Sequence, residues 1–387
     1  RAAAQLQRRV AVLDAGLPRP LRVRIALHTG TADVRDYDYY GDQTCATDGL
    51  CALACPVNIN TGELVKEIRS KEHGTLATRL AGFIAGHMAL TTSGARFFLN
   101  LLFVVRQVLG TRVMEVLAGA VHGLTGGILP LWNREMPRGA HRLPTQSAGE
   151  HGKPKVVYFP TCINRTFGSA PDSPEPSLVA VVPRLLRKGG FEVIIPANAD
   201  ALCCGMAFSS KGFKQAGKTK SRELEQALTA ASENGRYPIV VDMSPCLLRM
   251  KETFGPALKI YDQIEFALEF LVDRLPIRKL PEPVVIHATC SAIKMGINGK
   301  LVELAKKCAD SVIVPVEIEC CGWAGDRGFT VPELNQSALA ELRSQIPENC
   351  RKGYSTSRTC EIGLSLHGGI NYQSIFYLID QCSGRGS

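Results

Sequence analysis

The chain has 387 residues, 45% of them hydrophobic and 21% charged, enough for two or three globular units with real cores. Its net charge of +9 is uneven: residues 64–153 carry 11 basic and 5 acidic side chains, whereas residues 37–63 carry 4 acids and no Lys or Arg. No Lys/Arg run with interleaved aromatics is present, which excludes nucleic acid as a partner.

The chain opens at Arg1, as a piece of a longer protein would, and its first ten residues lack the apolar core of an export signal. A cytoplasmic location is expected. Residues 1–43 form an atypical N-terminal segment with a strand-like run at Leu21–Leu27. Residues 44–140 begin with a cysteine cluster and continue as a helical region, apolar-dense in Ala95–Leu109. Arg79, Arg96, Arg106, Arg112 and Glu115 interrupt that region. Its uncharged run Val116–Asn133 contains four glycines, His122 and Pro130, so no membrane-spanning segment is predicted. Two readings remain: a buried helical linker, or a basic, apolar face resting peripherally on the cytoplasmic membrane. Polar, Gly-bearing residues 141–154 read as a linker.

From residue 155 the texture changes to short β-rich runs alternating with amphipathic helices, and the pattern occurs twice. The first copy, 155–275, runs from Val156–Phe159 and Cys162 through a helix near 178–188 and a strand at 192–195 to Cys203-Cys204-Gly205. It continues with a helix near 215–232, a strand at 239–242 and Cys246. The second copy, 276–387, runs from Val284–Ile286 and Cys290 through a helix near 301–307 and a strand at 312–316 to Cys320-Cys321-Gly322. A helix near 333–344 and Cys360 complete it. The expected fold is therefore α/β, two small parallel-sheet lobes behind a cysteine-bearing segment and helical linker. Cysteines just beyond the strands would gather at one sheet edge, where such folds build their sites.

Fourteen cysteines bunched into tight groups, in a chain unlike a short disulfide scaffold, point to metal. Cys45-Ala-Thr-Asp48-Gly-Leu-Cys51-Ala-Leu-Ala-Cys55-Pro56 is a bacterial ferredoxin run with Asp48 in the second position. A carboxylate is a harder ligand than a thiolate and makes a labile corner. The fourth cysteine of such a run crosses to a second cluster, and residues 1–44 contain no cysteine, so the run is half of a site. Each Cys-Cys-Gly copy offers four thiolates: Cys162, Cys203, Cys204 and Cys246, then Cys290, Cys320, Cys321 and Cys360. Cys308, Cys350 and Cys382 fall outside the pattern and read as packing residues. His287 and His367 are weighed as proton-transfer or ligand-assisting residues against the commoner structural role.

The Cys-Cys-Gly pattern resembles the cysteine-rich domain of heterodisulfide reductases, glycolate oxidase iron–sulfur subunits and anaerobic glycerol-3-phosphate dehydrogenases. That family often ends in C-x2-C, where this chain has Met243 and Ser357, one thiolate fewer per copy. From Gly41 to Cys382 the sequence also resembles the C-terminal half of FAD-linked iron–sulfur D-lactate dehydrogenases. The likeness rests on Gly41–Cys51, Cys55–Gly62, Tyr158–Cys162, Leu202–Ser210, Glu319–Phe329 and Thr359–Ser365. It implies a ferredoxin-like segment with a 4Fe-4S cluster and electron transfer from a flavin-bearing dehydrogenase domain or subunit toward a quinone or cytochrome. FAD itself would sit in that partner, since no Gly-rich dinucleotide fingerprint is present here. Residues 21–41 resemble a fragment of a class III nucleotide cyclase, a fusion scar too small for a catalytic site. The alternatives are an iron–sulfur subunit of a glycolate oxidase or heterodisulfide reductase-type complex, and a cluster-free docking module.

Overall fold

The computed structural model describes residues 33–35, 38–40, 60–127, 129–144, 152–316 and 318–384. Cys45, Asp48, Cys51 and Cys55 lie outside the described residues, as does the strand-like run 21–27. The chain divides into two units, Arg1–Ala46 and Thr47–Ser387. In the first, strands β1 (Asp33–Arg35) and β2 (Asp38–Tyr40) pair antiparallel.

The second unit opens with four helices: α1 (Thr61–Glu72), α2 (Thr75–Gly86), α3 (Met88–Leu109) and α4 (Thr111–Leu124). The Asn60 side chain caps α1 by accepting the Glu63 N–H. Gly110, at φ +80°, separates α3 from α4 with a backbone that residues bearing a Cβ rarely adopt. These helices are not the buried linker that their apolar content suggests. Their outer faces are exposed, with Leu76, Leu90 and Leu124 among the most accessible large hydrophobic side chains of the described residues. Periodicity marks an apolar face without saying what covers it.

Two four-stranded parallel sheets follow. The first contains β3 (Lys155–Phe159), β4 (Glu192–Ile194), β5 (Ile239–Val241) and β6 (Ile260–Asp262), in the order β4-β3-β5-β6. The second contains β7 (Val284–Ile286), β8 (Val312–Ile313), β9 (Lys352–Ser355) and β10 (Asn371–Ser374), in the order β10-β9-β7-β8. Both sheets thus run second–first–third–fourth, and each reverses its winding between its first and third strands. The expected strand 312–316 stops at Ile313, because Pro315 has no N–H to continue a ladder. The helix expected over 333–344 covers only Pro332–Ala338.

Alternation along the strands builds the layers. Val156 and Tyr158 join one core cluster, while Val157 and Phe159 join another on the opposite face. Val284 and Ile286 join that same first cluster from the second sheet, with Val285 facing a third. Between the sheets lie α6 (Leu178–Lys188) and α12 (Asn298–Cys308), with α10 (Gln263–Phe266) and α15 (Ile375–Cys382). The outer face of the first sheet carries α8 (Lys214–Ala231) and α9 (Ser244–Thr253), which place Leu224, Leu228, Leu247 and Met250 against it. On the outer face of the second, α14 (Arg358–Gly368) contributes Ile362 and Leu364. Short helices α5 (Cys162–Thr166), α7 (Met206–Ser209), α11 (Cys290–Lys294) and α13 (Pro332–Ala338) complete the set.

Candidate functional site

In an open α/β sheet, ligands bind beyond the carboxyl ends of the strands where the winding reverses. Here those points lie between β3 and β5 and between β7 and β9, and the cysteines mark both. Cys162 is the first residue of α5, three positions past the end of β3, and Cys290 is the first residue of α11, four past β7. Cys246 and Cys360 each occupy the third position of the helix after the third strand, α9 and α14. Helix N-termini present unpaired N–H groups and the positive end of the macrodipole, which favour a thiolate.

Each Cys-Cys-Gly segment brings its thiols to the same place through a turn that only glycine enters readily. Gly205 has φ +81° and Gly322 φ +67°. A Cβ on Gly205 would lie 2.2 Å from the Gly217 carbonyl oxygen, and one on Gly322 2.4 Å from that of Leu334. The amides of these glycines turn back on the first cysteine: Gly205 N–H donates to Cys203 Sγ at 3.4 Å and Gly322 N–H to Cys320 Sγ at 3.3 Å.

In the first lobe all four expected thiols are neighbours in a chain. Cys162 Sγ is 3.7 Å from Cys203 Sγ, and Cys204 interacts with both Cys203 and Cys246. Their acidities reflect this crowding. The bond with Cys203, then burial, holds the Cys162 thiol well above its ordinary pKa. For Cys203 the bond from Cys162 acts downward, but the bond to Cys204 and burial outweigh it and push the thiol up to about 12. For Cys246 the bond with Cys204 acts downward, but burial together with the neighbouring Cys162, Cys203 and Asp242 outweighs it, with a net rise. The half-buried Cys162 and the three buried thiols thus all favour the protonated form, and metal binding would have to displace those protons.

In the second lobe Cys321 interacts with Cys320 and Cys360, and those two bonds and burial raise its pKa. Cys290 stands at the helix position that Cys162 has in the first lobe and is half-buried. Among the described residues, no three or more His, Cys, Asp or Glu side chains close around a point that would hold a single metal ion. In the first lobe the thiols instead contact one another in succession. A polynuclear cluster presents several irons to separate thiolates. The donor set fits an iron–sulfur cluster in kind: thiolates, helix N-termini, amide donors to sulfur, and the buried Arg165 lowering Cys162.

The supporting residues are not visible in the sequence. Asp242, at the exit of β5, accepts from Tyr158 Oη at 2.7 Å, Thr161 N–H at 3.0 Å and Thr161 Oγ1 at 2.7 Å. Burial raises its pKa against those three bonds. In the second lobe the corresponding contact is Thr289 Oγ1 to Thr356 Oγ1, 3.1 Å. Arg165 donates to the carbonyls of Pro160 at 2.7 Å and Leu202 at 2.6 Å, tying the Cys162 loop to the Cys203 loop. Gln263 Nε2 donates to the carbonyls of both Asp242 and Thr356, joining the two strand ends across the lobes. Most of these partners come from distant parts of the chain, which leaves no local pattern to read.

The cysteines outside the repeats are elsewhere. The Cys308 and Cys382 thiols contact each other in the middle layer, where the Cys382 S–H reaches the Cys308 carbonyl at 2.9 Å. Cys350 Sγ faces the Lys352 carbonyl at 3.6 Å. His287 is buried with neither ring nitrogen hydrogen-bonded, and burial lowers its pKa to about 4, so it is neutral at physiological pH. Burial and then Arg134 lower the pKa of His367.

Similarity to known proteins bears on this arrangement. The cysteine-rich domain family known as CCG matches residues 156–251. Over 309 residues the chain is 24% identical to a subunit of the anaerobic glycerol-3-phosphate dehydrogenase of Escherichia coli, covering 76% of this chain and 74% of that one. It is 25% identical over 182 residues to lactate utilization protein A of Oceanobacillus iheyensis, covering 42% of this chain and 71% of that protein. With lactate utilization protein A 1 of Bacillus mycoides the identity is 24% over 207 residues, 50% of this chain and 81% of that one. Among solved structures, the Picrophilus torridus aspartate racemase covers 61% of this chain and 96% of its own at 10% identity. Its TM-score of 0.29 is too low to bear on the fold. Residues 156–251 thus match a cysteine-rich domain of the CCG type, in a chain similar to one subunit of an anaerobic dehydrogenase and to lactate utilization proteins.

Proposed function

We propose that this chain is the iron–sulfur electron-transfer part of a dehydrogenase for D-lactate or a related 2-hydroxy acid. It would take electrons from a flavin-bearing domain or subunit and pass them toward a quinone or cytochrome. The observation that carries the reading is the duplicated thiol arrangement: at both winding reversals a helix-start cysteine, a Cys-Cys-Gly turn and a third-position helix cysteine stand in the same relation to the same strands. Lobes 155–275 and 276–387 are read as two copies of one unit, each with four ligands. Cys45, Asp48, Cys51 and Cys55 would form part of a ferredoxin-type centre. When bound, an iron–sulfur cluster accepts and releases single electrons at a potential that its surroundings tune. The chain's own part is to hold the thiols at helix starts, donate amides to sulfur and exclude water by burial.

The relatives leave the electron donor between two chemistries, since one is named for glycerol 3-phosphate and two for lactate. The 76% coverage of this chain by the glycerol-3-phosphate relative favours keeping that donor as the second reading. The test is anaerobic reconstitution with iron and sulfide, followed by metal analysis and low-temperature electron paramagnetic resonance. Iron in the protein that is lost in Cys203→Ser and in Cys320→Ser is expected. A chain that takes up no iron, or takes it up unchanged in both variants, would overturn the reading.

A further inference from the structure

All but two of the large hydrophobic side chains exposed among the described residues lie between Leu76 and Leu129. They are ordered. On α3, Leu90, Phe97, Leu101, Val104 and Val108 recur at steps of seven, four, three and four, one stripe along the helix. On α2, Leu76, Leu80 and Phe83 repeat the spacing, as do Val113, Leu117 and Val121 on α4. A patch of this kind marks a surface meant to be covered.

The other side of these helices is fixed to the first lobe. Ala81, Ala85 and Met88 form a cluster with Cys203 and Phe208. Asn100 Oδ1 accepts the Gly139 N–H at 3.0 Å, and a Cβ at Gly139 would meet the Arg96 carbonyl oxygen at 2.5 Å. Arg106 grips both oxygens of Asp172, at 2.9 and 3.3 Å. By length and composition α3 could cross a bilayer, and only 17% of its apolar window is buried. Yet it is held against the lobe from Met88 to Arg106, so it lies along the protein surface with one side out. Charge points to the occupant: α2, α3 and α4 carry Arg79, Arg96, Arg106 and Arg112 against a single acid, Glu115, and Arg79 and Arg112 are exposed next to Leu80 and Val113 of the stripes. Basic residues flanking an in-plane apolar face suit an anionic lipid surface.

We propose that the outer faces of α2, α3 and α4 lie in the interface of an anionic phospholipid membrane, without crossing it. The first thiol group, with Cys203 packed directly under α2 and α3, is then roughly one helix diameter, about 10 Å, from lipid. Attachment does not depend on whether the thiols hold a cluster, so its failure and the failure of the relay reading are separately visible.

The test is flotation of the full chain with vesicles of phosphatidylglycerol and phosphatidylethanolamine, against vesicles of phosphatidylcholine alone. Binding to the anionic vesicles, weakened by salt and released by alkaline carbonate, is expected. The double variant Phe97→Glu/Leu101→Glu, both positions exposed, should keep its circular dichroism spectrum and bind about tenfold more weakly or worse. Arg79→Glu/Arg112→Glu should lose the preference for anionic lipid. Failure to float with either vesicle overturns the proposal, as does retention after carbonate, which would mean a spanning helix. Self-association that the same variants abolish, with no vesicle binding, would overturn it too and assign the face to a second copy.

Discussion

Replacing Gly205 with alanine should cost far more than its size suggests. The residue sits at φ +81°, where a side chain strains the backbone by about 1–2 kcal/mol. The new Cβ would also fall 2.2 Å from the Gly217 carbonyl oxygen, with the rest of Gly217 at 3.0–3.1 Å. Backbone cannot rotate aside as a side chain does, and relieving such overpacking costs a further ~1–3 kcal/mol. The sum is about 2–5 kcal/mol. Gly190 supplies the control: its φ is +83°, but nothing lies within 4 Å of a Cβ there, so Gly190→Ala should carry the backbone strain alone, about 1–2 kcal/mol. Urea unfolding followed by far-ultraviolet circular dichroism compares the two. Equal losses in the two variants would refute the argument that Gly205 is held by close approach to Gly217. Because the Gly205 amide also donates to Cys203 Sγ, the alanine variant should retain less iron after reconstitution than Gly190→Ala does.

Other outcomes follow from the same geometry. Burial raises the Asp262 pKa to about 6, above its unfolded value, so the native state favours the protonated acid. Stability from this group is present below pH ~4 and is lost as pH rises through about 6; Asp262→Asn should therefore gain on the wild type as pH increases from 4 to 7. A difference in urea midpoints that does not change with pH would contradict this. Cys203→Ser and Cys320→Ser should lower bound iron, whereas Cys45→Ser should change it little, since the run at Cys45 lacks its crossing ligand; metal analysis of the three variants decides. These 387 residues alone should not reduce an artificial dye with D-lactate, and turnover by the flavin-free chain would show that the donor domain is not needed.

The parts of the fold legible in the sequence are those where local composition and burial agree. Val156–Phe159, Ile239–Val241 and Val284–Ile286 are β-branched or aromatic runs, buried on both faces as central parallel strands are. Strands β6 and β10 escape a sequence reading because Ile260-Tyr-Asp and Asn371-Tyr-Gln-Ser are short, polar and followed by no cysteine at the start of the next helix. Their hidden signal is a capping residue at the join to that helix: Asp262 accepts from the Ile264 N–H and Ser374 from that of Phe376. Within the site, paired cysteines and glycines are readable as a pattern. Arg165 and Asp242 are ordinary surface-type residues by sequence, and their burial follows from carbonyls and hydroxyls supplied by other loops. The helices at 75–124 mislead in the other direction, since their apolar excess implies a covering that the described residues do not provide.

The middle layer makes the two sheets partners for life. Tyr158, Ile264 and Phe266 share one continuous core with Ile286, Tyr354 and Phe376, and the sequence joint near residue 275 passes through it without a break. Either half expressed alone would bare that layer to water. A residue that drifts on one side of the layer must be answered by one on the other. Bound back to back through one core, the two sheets can repack only together.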